Sequence, residues 1–161
     1  MTRTRRRIYW DSCVFIHVIQ QTPELRTTLE AILDEARAGS LVIVTSALTL
    51  AEVRGAGSEA DEAMVDEMFR QDYIVVRVLD PPLASRARRL GREHGIKPAD
   101  AIHVATAIDL GAEVMHTMDG KTKKRGLIAK SGQLEEVGLR IREPDWPVQT
   151  KLELDEQPDQ E

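Results

Sequence analysis

Short apolar runs alternate with helix-forming segments along the chain, and this alternation restricts the fold more than any other feature of the sequence. The runs have the length and composition of buried strands; they are residues 8–10, 41–44, 73–79, 113–117 and 139–142. Residues 24–37 lie between the first two apolar runs, and their apolar side chains recur with a helical period. Strands and helices in this order indicate a largely parallel sheet covered by helices. The sequence therefore predicts an α/β sandwich.

Capping residues and helix breakers place the other helices. Thr45 or Ser46 suits the N-cap of a short helix that ends before Gly55. The tripeptide Asp80-Pro81-Pro82 is a helix start, because proline fits the first helical turn. Gly95 stops that helix, and Lys97-Pro98 begins the next, which we expect to cover residues 99–110. A further helix is predicted over residues 58–70.

Composition and charge narrow the class of protein. The chain has 161 residues, 42% of them hydrophobic, enough for one domain with its own core. No apolar run approaches the roughly 20 residues of a membrane helix, and Cys13 is the sole cysteine, so we expect a cytoplasmic protein without membrane association. The net charge is −5. Residues 151–161 carry −4 of this charge, and the first 150 residues carry −1. This balance neither excludes nor favours a polyanionic partner.

Acidic side chains follow the predicted strands at positions that one fold could bring together. Asp11 follows the first strand, Glu52 lies one short helix after the second, and Asp119 follows the fourth. Ligand sites of open parallel sheets form beyond the carboxyl ends of the strands. Asp100, in the first turn of its helix, is the fourth candidate. Each has a simpler interpretation: N-cap for Asp11, helix-dipole partner for Asp100, solvated charge for Glu52 and turn residue for Asp119.

Several carboxylates in one crevice favour a divalent cation. Ionised carboxylates repel one another, and a cation relieves that repulsion. Mg²⁺ and Mn²⁺ prefer oxygen ligands, and such ions activate water and neutralise charge on a phosphodiester. The chain has neither a Walker loop nor a G-x-G-x-x-G motif, which argues against nucleotide chemistry. The sequence predicts a magnesium or manganese site that involves these four acids.

At these residues the sequence resembles the PIN-domain ribonucleases. The family pattern D-[ST]-x, E, [KR]-x-x-D-x-x-x-x-A and [ST]-x-D occurs here in order. The matching segments are Asp11-Ser12-Cys13, Glu52 in LTLAEV, Lys97 to Ala105, and Thr117-Met118-Asp119. The resemblance spans roughly residues 8–142, and the compact form is most similar to the VapC-type toxins of toxin–antitoxin pairs. Cys13 departs from the polar residue common there, and Gly120 from the usual charged residue; neither removes a carboxylate.

The resemblance implies a fold, an activity and partners. The fold is the Rossmann-like PIN sandwich, with a mainly parallel five-stranded sheet between helices. The activity is a Mg²⁺- or Mn²⁺-dependent endoribonuclease on single-stranded or structured RNA, with an antitoxin protein and a homodimer as expected partners. The implied catalytic and metal-binding residues are Asp11, Glu52, Asp100 and Asp119. The expected supporting hydroxyls are Ser12 and Thr117, which equally suit strand ends and caps.

Two further expectations concern RNA and the chain's end. Basic side chains near the acids could contact phosphates or simply be solvated; they are Lys97, Lys121, Lys123, Lys124 and Arg125. We expect a nuclease domain over residues 8–142 and an acidic tail without regular structure over 143–161. The alternative function is a catalytically silent PIN-like module that binds RNA or protein. His17, His103 and His116 lack metal-ligand spacing, which favours structural roles.

Overall fold

The sheet has five strands, all parallel, in the order β3-β2-β1-β4-β5. The computed structural model describes residues 4–55, 57–119 and 126–148. The strands are β1 Arg6–Trp10, β2 Leu41–Ser46, β3 Ile74–Arg77, β4 Val114–His116 and β5 Arg140–Arg142. The predicted parallel sheet is confirmed. β3 is shorter than the predicted 73–79, because the chain leaves this edge strand after Arg77 and Val78 is largely exposed.

Helices connect consecutive strands, as parallel pairing requires. They are α1 Ser12–Gln20, α2 Pro23–Arg37, α3 Ala47–Glu52, α4 Glu59–Phe69, α5 Pro81–His94, α6 Pro98–Asp109 and α7 Ser131–Glu135. A short 3₁₀ turn, Ile128–Lys130, precedes α7. Ser46 caps α3 by accepting a hydrogen bond from the Leu48 amide at 3.1 Å. No described helix is long and apolar enough to cross a membrane.

Side chains of the central strands alternate between two cores, one on each face of the sheet. Ile8 and Trp10 point to a core shared with α1, α2 and α4. Tyr9 points to the other core, which α5, α6 and α7 complete. This alternation follows from the two-residue period of a strand. The molecule is therefore the predicted three-layer sandwich, with helices on both faces.

The chain reverses its direction of winding at β1. β2 and β3 extend the sheet on one side of β1, whereas β4 and β5 extend it on the other. At such a switch point the connections diverge to opposite faces and leave a crevice beyond the strand ends. Here the crevice lies between the ends of β1 and β4, where Trp10 pairs with His116. Asp11 directly follows β1, so the topology places it at this crevice.

The tight turn between α5 and α6 places the start of α6 at the edge of the sheet where β1 and β4 end. Gly95 ends α5 in the left-handed conformation, with φ +63°, which glycine adopts without steric cost. Gly91 lies so close to α6 that a Cβ there would meet the Ile96 carbonyl oxygen at 3.0 Å and Ala101 Cβ at 3.5 Å. The close turn fixes where α6 begins. It therefore also fixes the position of Asp100 in the first turn of α6.

The end of the described chain returns to the domain. Residues 143–148 follow β5 without regular structure, and Val148 is buried in the core on the α1–α2 face. The Val148 carbonyl accepts a hydrogen bond from Arg6 at 2.8 Å. Residues 149–161, most of the expected acidic tail, lie outside the described residues. The domain boundary at residue 142 stays a prediction.

Candidate active site

Asp11 is the most enclosed of the four acids, only 5% exposed. It caps α1, since Oδ1 accepts from the Val14 amide at 3.4 Å. The Cys13 thiol also donates to Oδ1, at 2.7 Å, and the Thr117 hydroxyl donates to Oδ2. Burial raises the pKa of Asp11, and the hydrogen bonds from Cys13 and Thr117 oppose that shift. The N-cap interpretation of Asp11 is confirmed, and its role as a metal ligand stays a prediction.

Cys13 does more than fill space beside Asp11. Its sulfur accepts a hydrogen bond from the Met118 amide at 3.2 Å while its proton points to Asp11. Burial, and then the charge of Asp11, raise the pKa of the Cys13 thiol, so it stays protonated and can donate. The thiol joins the end of β1 to the loop after β4.

Thr117 links two of the acids. Its hydroxyl donates to Asp11 and accepts from the Asp119 amide at 3.0 Å. Asp119 is held further by the Leu127 amide, which donates to Oδ2 at 3.3 Å. The side chain of Thr117 is fully buried. Its hydroxyl therefore fixes the loop that follows β4.

Asp100 faces the same crevice from α6. Burial raises the pKa of its carboxyl, and the charge of Asp119 raises it further. The charge of Asp11 acts in the same direction, whereas the charge of Lys97 opposes it. Asp11 and Asp119 are therefore close enough to Asp100 for their charges to affect its ionisation. A carboxylate in this position gains from any nearby cation.

Glu52 is bound differently from the other three acids. Its Oε2 accepts from the Ser12 hydroxyl at 2.6 Å and contacts His103 Nε2 at 2.8 Å. The hydrogen bond from His103 is the main reason that the pKa of Glu52 is lowered. Glu52 thus stays ionised beside the crevice. Ser12 thus contacts one of the predicted acids, and its supporting role stays a prediction.

The arrangement of Asp11, Asp100 and Asp119 can be compared with what a hydrated divalent ion requires. In the described part of the chain, no three His, Cys, Asp or Glu side chains converge into a ready metal cage. Mg²⁺ commonly binds through one or two carboxylates and keeps several waters. All four acids offer oxygen, the ligand that Mg²⁺ and Mn²⁺ prefer. The like-charge coupling at Asp100 is the repulsion that a cation would relieve.

The predicted phosphate contacts are placed only in part. Lys97 is exposed at the N-cap of α6, three residues before Asp100. The other four, Lys121, Lys123, Lys124 and Arg125, lie outside the described residues. They belong to the segment between Asp119 and the 3₁₀ turn. Their role stays a prediction.

The fold and the site define a class: an α/β sandwich with acids gathered beyond the carboxyl ends of its central strands. The PIN domain family model matches residues 8–126. The chain belongs to this family. Comparison with curated proteins finds no match.

A solved structure has the same architecture. The chain is similar to the crystal structure of VapBC2 from Rickettsia felis, bound to a DNA fragment from their promoter. The TM-score is 0.61, and the match covers 86% of this chain and 99% of that chain. Sequence identity is 15%, so the likeness is one of fold. The resemblance inferred from the motifs is confirmed at the level of the family and its fold.

One contact beside the predicted acids escaped the sequence analysis. His103 was expected to be structural, and its buried ring contacts Glu52 through Nε2. The available signal was its position one helical turn after Asp100, which places both side chains on one face of α6. Spacing could not indicate the partner, because Glu52 is 51 residues away. His116, by contrast, is fully buried and accepts from the Trp10 indole at 3.2 Å, as a structural histidine.

Proposed function

We propose that the protein is a metal-dependent endoribonuclease in which Asp11, Asp100 and Asp119 hold Mg²⁺ or Mn²⁺, with Glu52 beside them. The observation that carries the proposal is the placement of Asp100 within the electrostatic reach of Asp11 and Asp119, at the switch point of a PIN fold. A bound ion would supply an activated water and neutralise charge on the scissile phosphodiester. Family membership supports a nuclease; the RNA substrate and the site assignments are proposals.

The chain's own residues would prepare the site before any substrate arrives. Cys13 and Thr117 hold the Asp11 carboxylate, and Thr117 also fixes the loop that carries Asp119. Ser12 and His103 hold Glu52. Preorganised charges lower the barrier because they need no rearrangement during the reaction. Lys97 and the basic segment 121–125 would contact RNA phosphates, which attract lysine and arginine regardless of sequence.

A cleavage assay tests the proposal. The purified protein is incubated with a mixed single-stranded RNA and Mg²⁺ or Mn²⁺, beside EDTA controls and the Asp11→Asn variant. Cleavage should need the ion and should fall roughly 100-fold or more in the variant, because a catalytic metal contributes several kcal/mol. Full activity in folded Asp11→Asn protein would refute the site. A wild type that neither cleaves RNA nor binds Mn²⁺ would favour the silent RNA- or protein-binding module.

We further propose that this nuclease is the toxin of a toxin–antitoxin pair, with an antitoxin partner and a homodimeric state. The support is the resemblance to VapC-type toxins and the shared fold with VapBC2. Expression in a bacterial host should arrest growth, and co-expression of the neighbouring gene's product should relieve the arrest. Asp11→Asn protein is the control and should be harmless. Unimpaired growth with active, soluble protein would contradict the toxin role.

A further inference from the structure

A chain of hydrogen bonds runs from the core of the sheet to the edge of the acid crevice. The Tyr9 hydroxyl contacts His103 Nδ1 at 2.7 Å. His103 Nε2 contacts Glu52 Oε2 at 2.8 Å, and the Ser12 hydroxyl donates to the same oxygen at 2.6 Å. Tyr9 is fully buried and His103 is 3% exposed. Both ring nitrogens of a buried imidazole are therefore engaged.

The chemistry of the two ends sets the direction of these bonds. Burial raises the pKa of Tyr9, so the phenol keeps its proton and can donate it to Nδ1. At the other end the Glu52 carboxylate has no proton to give and accepts from His103 at 2.8 Å. The His103 ring therefore carries its proton on Nε2 and accepts from Tyr9 at Nδ1. Tyr9, His103 and Glu52 thus form one chain in which every donor meets an acceptor.

We propose that His103 is a positioning residue for Glu52, and that Tyr9 holds the imidazole in the Nε2–H form that this requires. The inference rests on the proposed nuclease function. With Ser12 and His103 both on Oε2, the other oxygen, Oε1, receives no hydrogen bond from the described residues. Oε1 is the oxygen left to approach a hydrated metal ion. His103 determines where that oxygen lies.

The arrangement ties two elements of the site to one helix. α6 carries Asp100 in its first turn and His103 one turn later, so the helix supplies one acid and orients another that belongs to α3. A glutamate side chain loses rotamer entropy when it is fixed. The hydrogen bonds from Ser12 and His103 to Oε2 offset this loss before a metal binds. Outer partners of metal ligands commonly change metal affinity or activity by about 10–100-fold.

Metal affinity in three variants tests the positioning role. His103→Leu removes the donor, whereas His103→Gln restores an N–H at a position near Nε2. The control is His17→Leu, because His17 contacts a hydroxyl, that of Thr22 at 2.7 Å, away from the acids. Circular dichroism establishes that each variant is folded, and calorimetry measures Mn²⁺ affinity beside the rate of RNA cleavage.

We expect His103→Leu to weaken Mn²⁺ binding by about 10-fold and to lower cleavage in parallel. His103→Gln should recover most of both, and His17→Leu should match the wild type. Recovery by Gln separates a role in donation from a loss of packing, which Gln would not repair. Wild-type affinity in folded His103→Leu protein, or equal losses in the Leu and Gln variants, would overturn the inference.

A spectroscopic measurement tests the chain of hydrogen bonds without metal or RNA. The ¹⁵N shifts of the His103 ring in the metal-free protein should show a proton on Nε2 and an acceptor at Nδ1. Tyr9→Phe should change the Nδ1 shift. A ring protonated on Nδ1 alone would refute the proposed tautomer even if the enzyme is active. A wild type that binds no Mn²⁺ would instead refute the proposed function, so the two failures are distinguishable.

Discussion

Replacing Asp100 by asparagine should stabilise the metal-free protein while weakening its response to metal. Burial raises the pKa of Asp100, and the charges of Asp119 and Asp11 raise it further. A carboxyl with a raised pKa opposes folding at neutral pH, because the folded protein disfavours its charged form. Asparagine keeps the shape of the side chain and removes the charge. Loss of the Asp100 charge should therefore appear as a gain in the free energy of unfolding.

The size of the gain follows from opposing effects. Asp100 is only half-buried, so solvent screens part of the repulsion. Its place in the first turn of α6 also gains it about 0.3–1 kcal/mol from the helix dipole. The raised pKa means that burial and repulsion exceed that gain. We expect Asp100→Asn to raise the free energy of unfolding by about 1 kcal/mol, which is about 2–4 °C in Tm for a chain of this size.

The pH dependence has a definite sign. Between the ordinary aspartate pKa of 3.8 and the raised value, the folded protein binds more protons at Asp100 than the unfolded chain does. This group therefore makes the wild type more stable as the pH falls through that window. The variant lacks this contribution. The stability difference should be largest at neutral pH and should vanish below about pH 4.

Urea denaturation in EDTA and in Mn²⁺ provides the assay. An ion at 100 times its Kd stabilises a protein by about 2.7 kcal/mol, so Mn²⁺ should reverse the order and make the wild type the more stable protein. The control is Asp109→Asn at the other end of α6, where Arg77 and Arg86 each donate to the carboxylate at 2.9 Å. That change should destabilise the protein and leave its Mn²⁺ response intact. Lower stability of Asp100→Asn in EDTA at pH 7 would refute the reasoning.

Three further predictions concern the support of the site. Thr117→Val removes the hydroxyl that donates to buried Asp11 and should cost about 2 kcal/mol in urea denaturation; an unchanged midpoint would contradict its role. Burial lowers the pKa of His116, so NMR at pH 6 should find its imidazole neutral. The contribution of His116 to the free energy of unfolding should fall as the pH drops below 6.5. An NMR titration midpoint of His116 above 6.5 would contradict this. Gly95→Ala, at φ +63°, should cost about 1 kcal/mol, whereas Gly132→Ala within α7 should cost nothing; equal effects would contradict the argument.

The sequence predicted the layers of the fold because its signals are local. The five apolar runs, the prolines at the starts of α5 and α6, and Gly95 act within a few residues, and each of these elements was confirmed. The extent of β3 was wrong, because the length of an edge strand depends on its single neighbour. Order along the chain also located Asp11 at the crevice, since the carboxyl ends of parallel strands share one edge.

The contacts within the site could not be predicted in the same way. Glu52 and His103 are 51 residues apart in the sequence, and the packing of α3 against α6 brings them into contact. The polar role of Cys13 depends on the Met118 amide, 105 residues away. The contact of Cys13 with Met118 follows from the register of β1 against β4, which no local pattern encodes. The motif located the acids; the tertiary structure determines what holds them.

Calorimetric titration with Mn²⁺ tests most directly the claim that the coupled acids form one metal site. The wild type should bind the ion, and Asp11→Asn and Asp100→Asn should each lose most of that binding while staying folded. Asp109→Asn, on α6 but outside the crevice, should bind like the wild type. Undiminished Mn²⁺ binding in both site variants, or no binding to the folded wild type, would contradict the account.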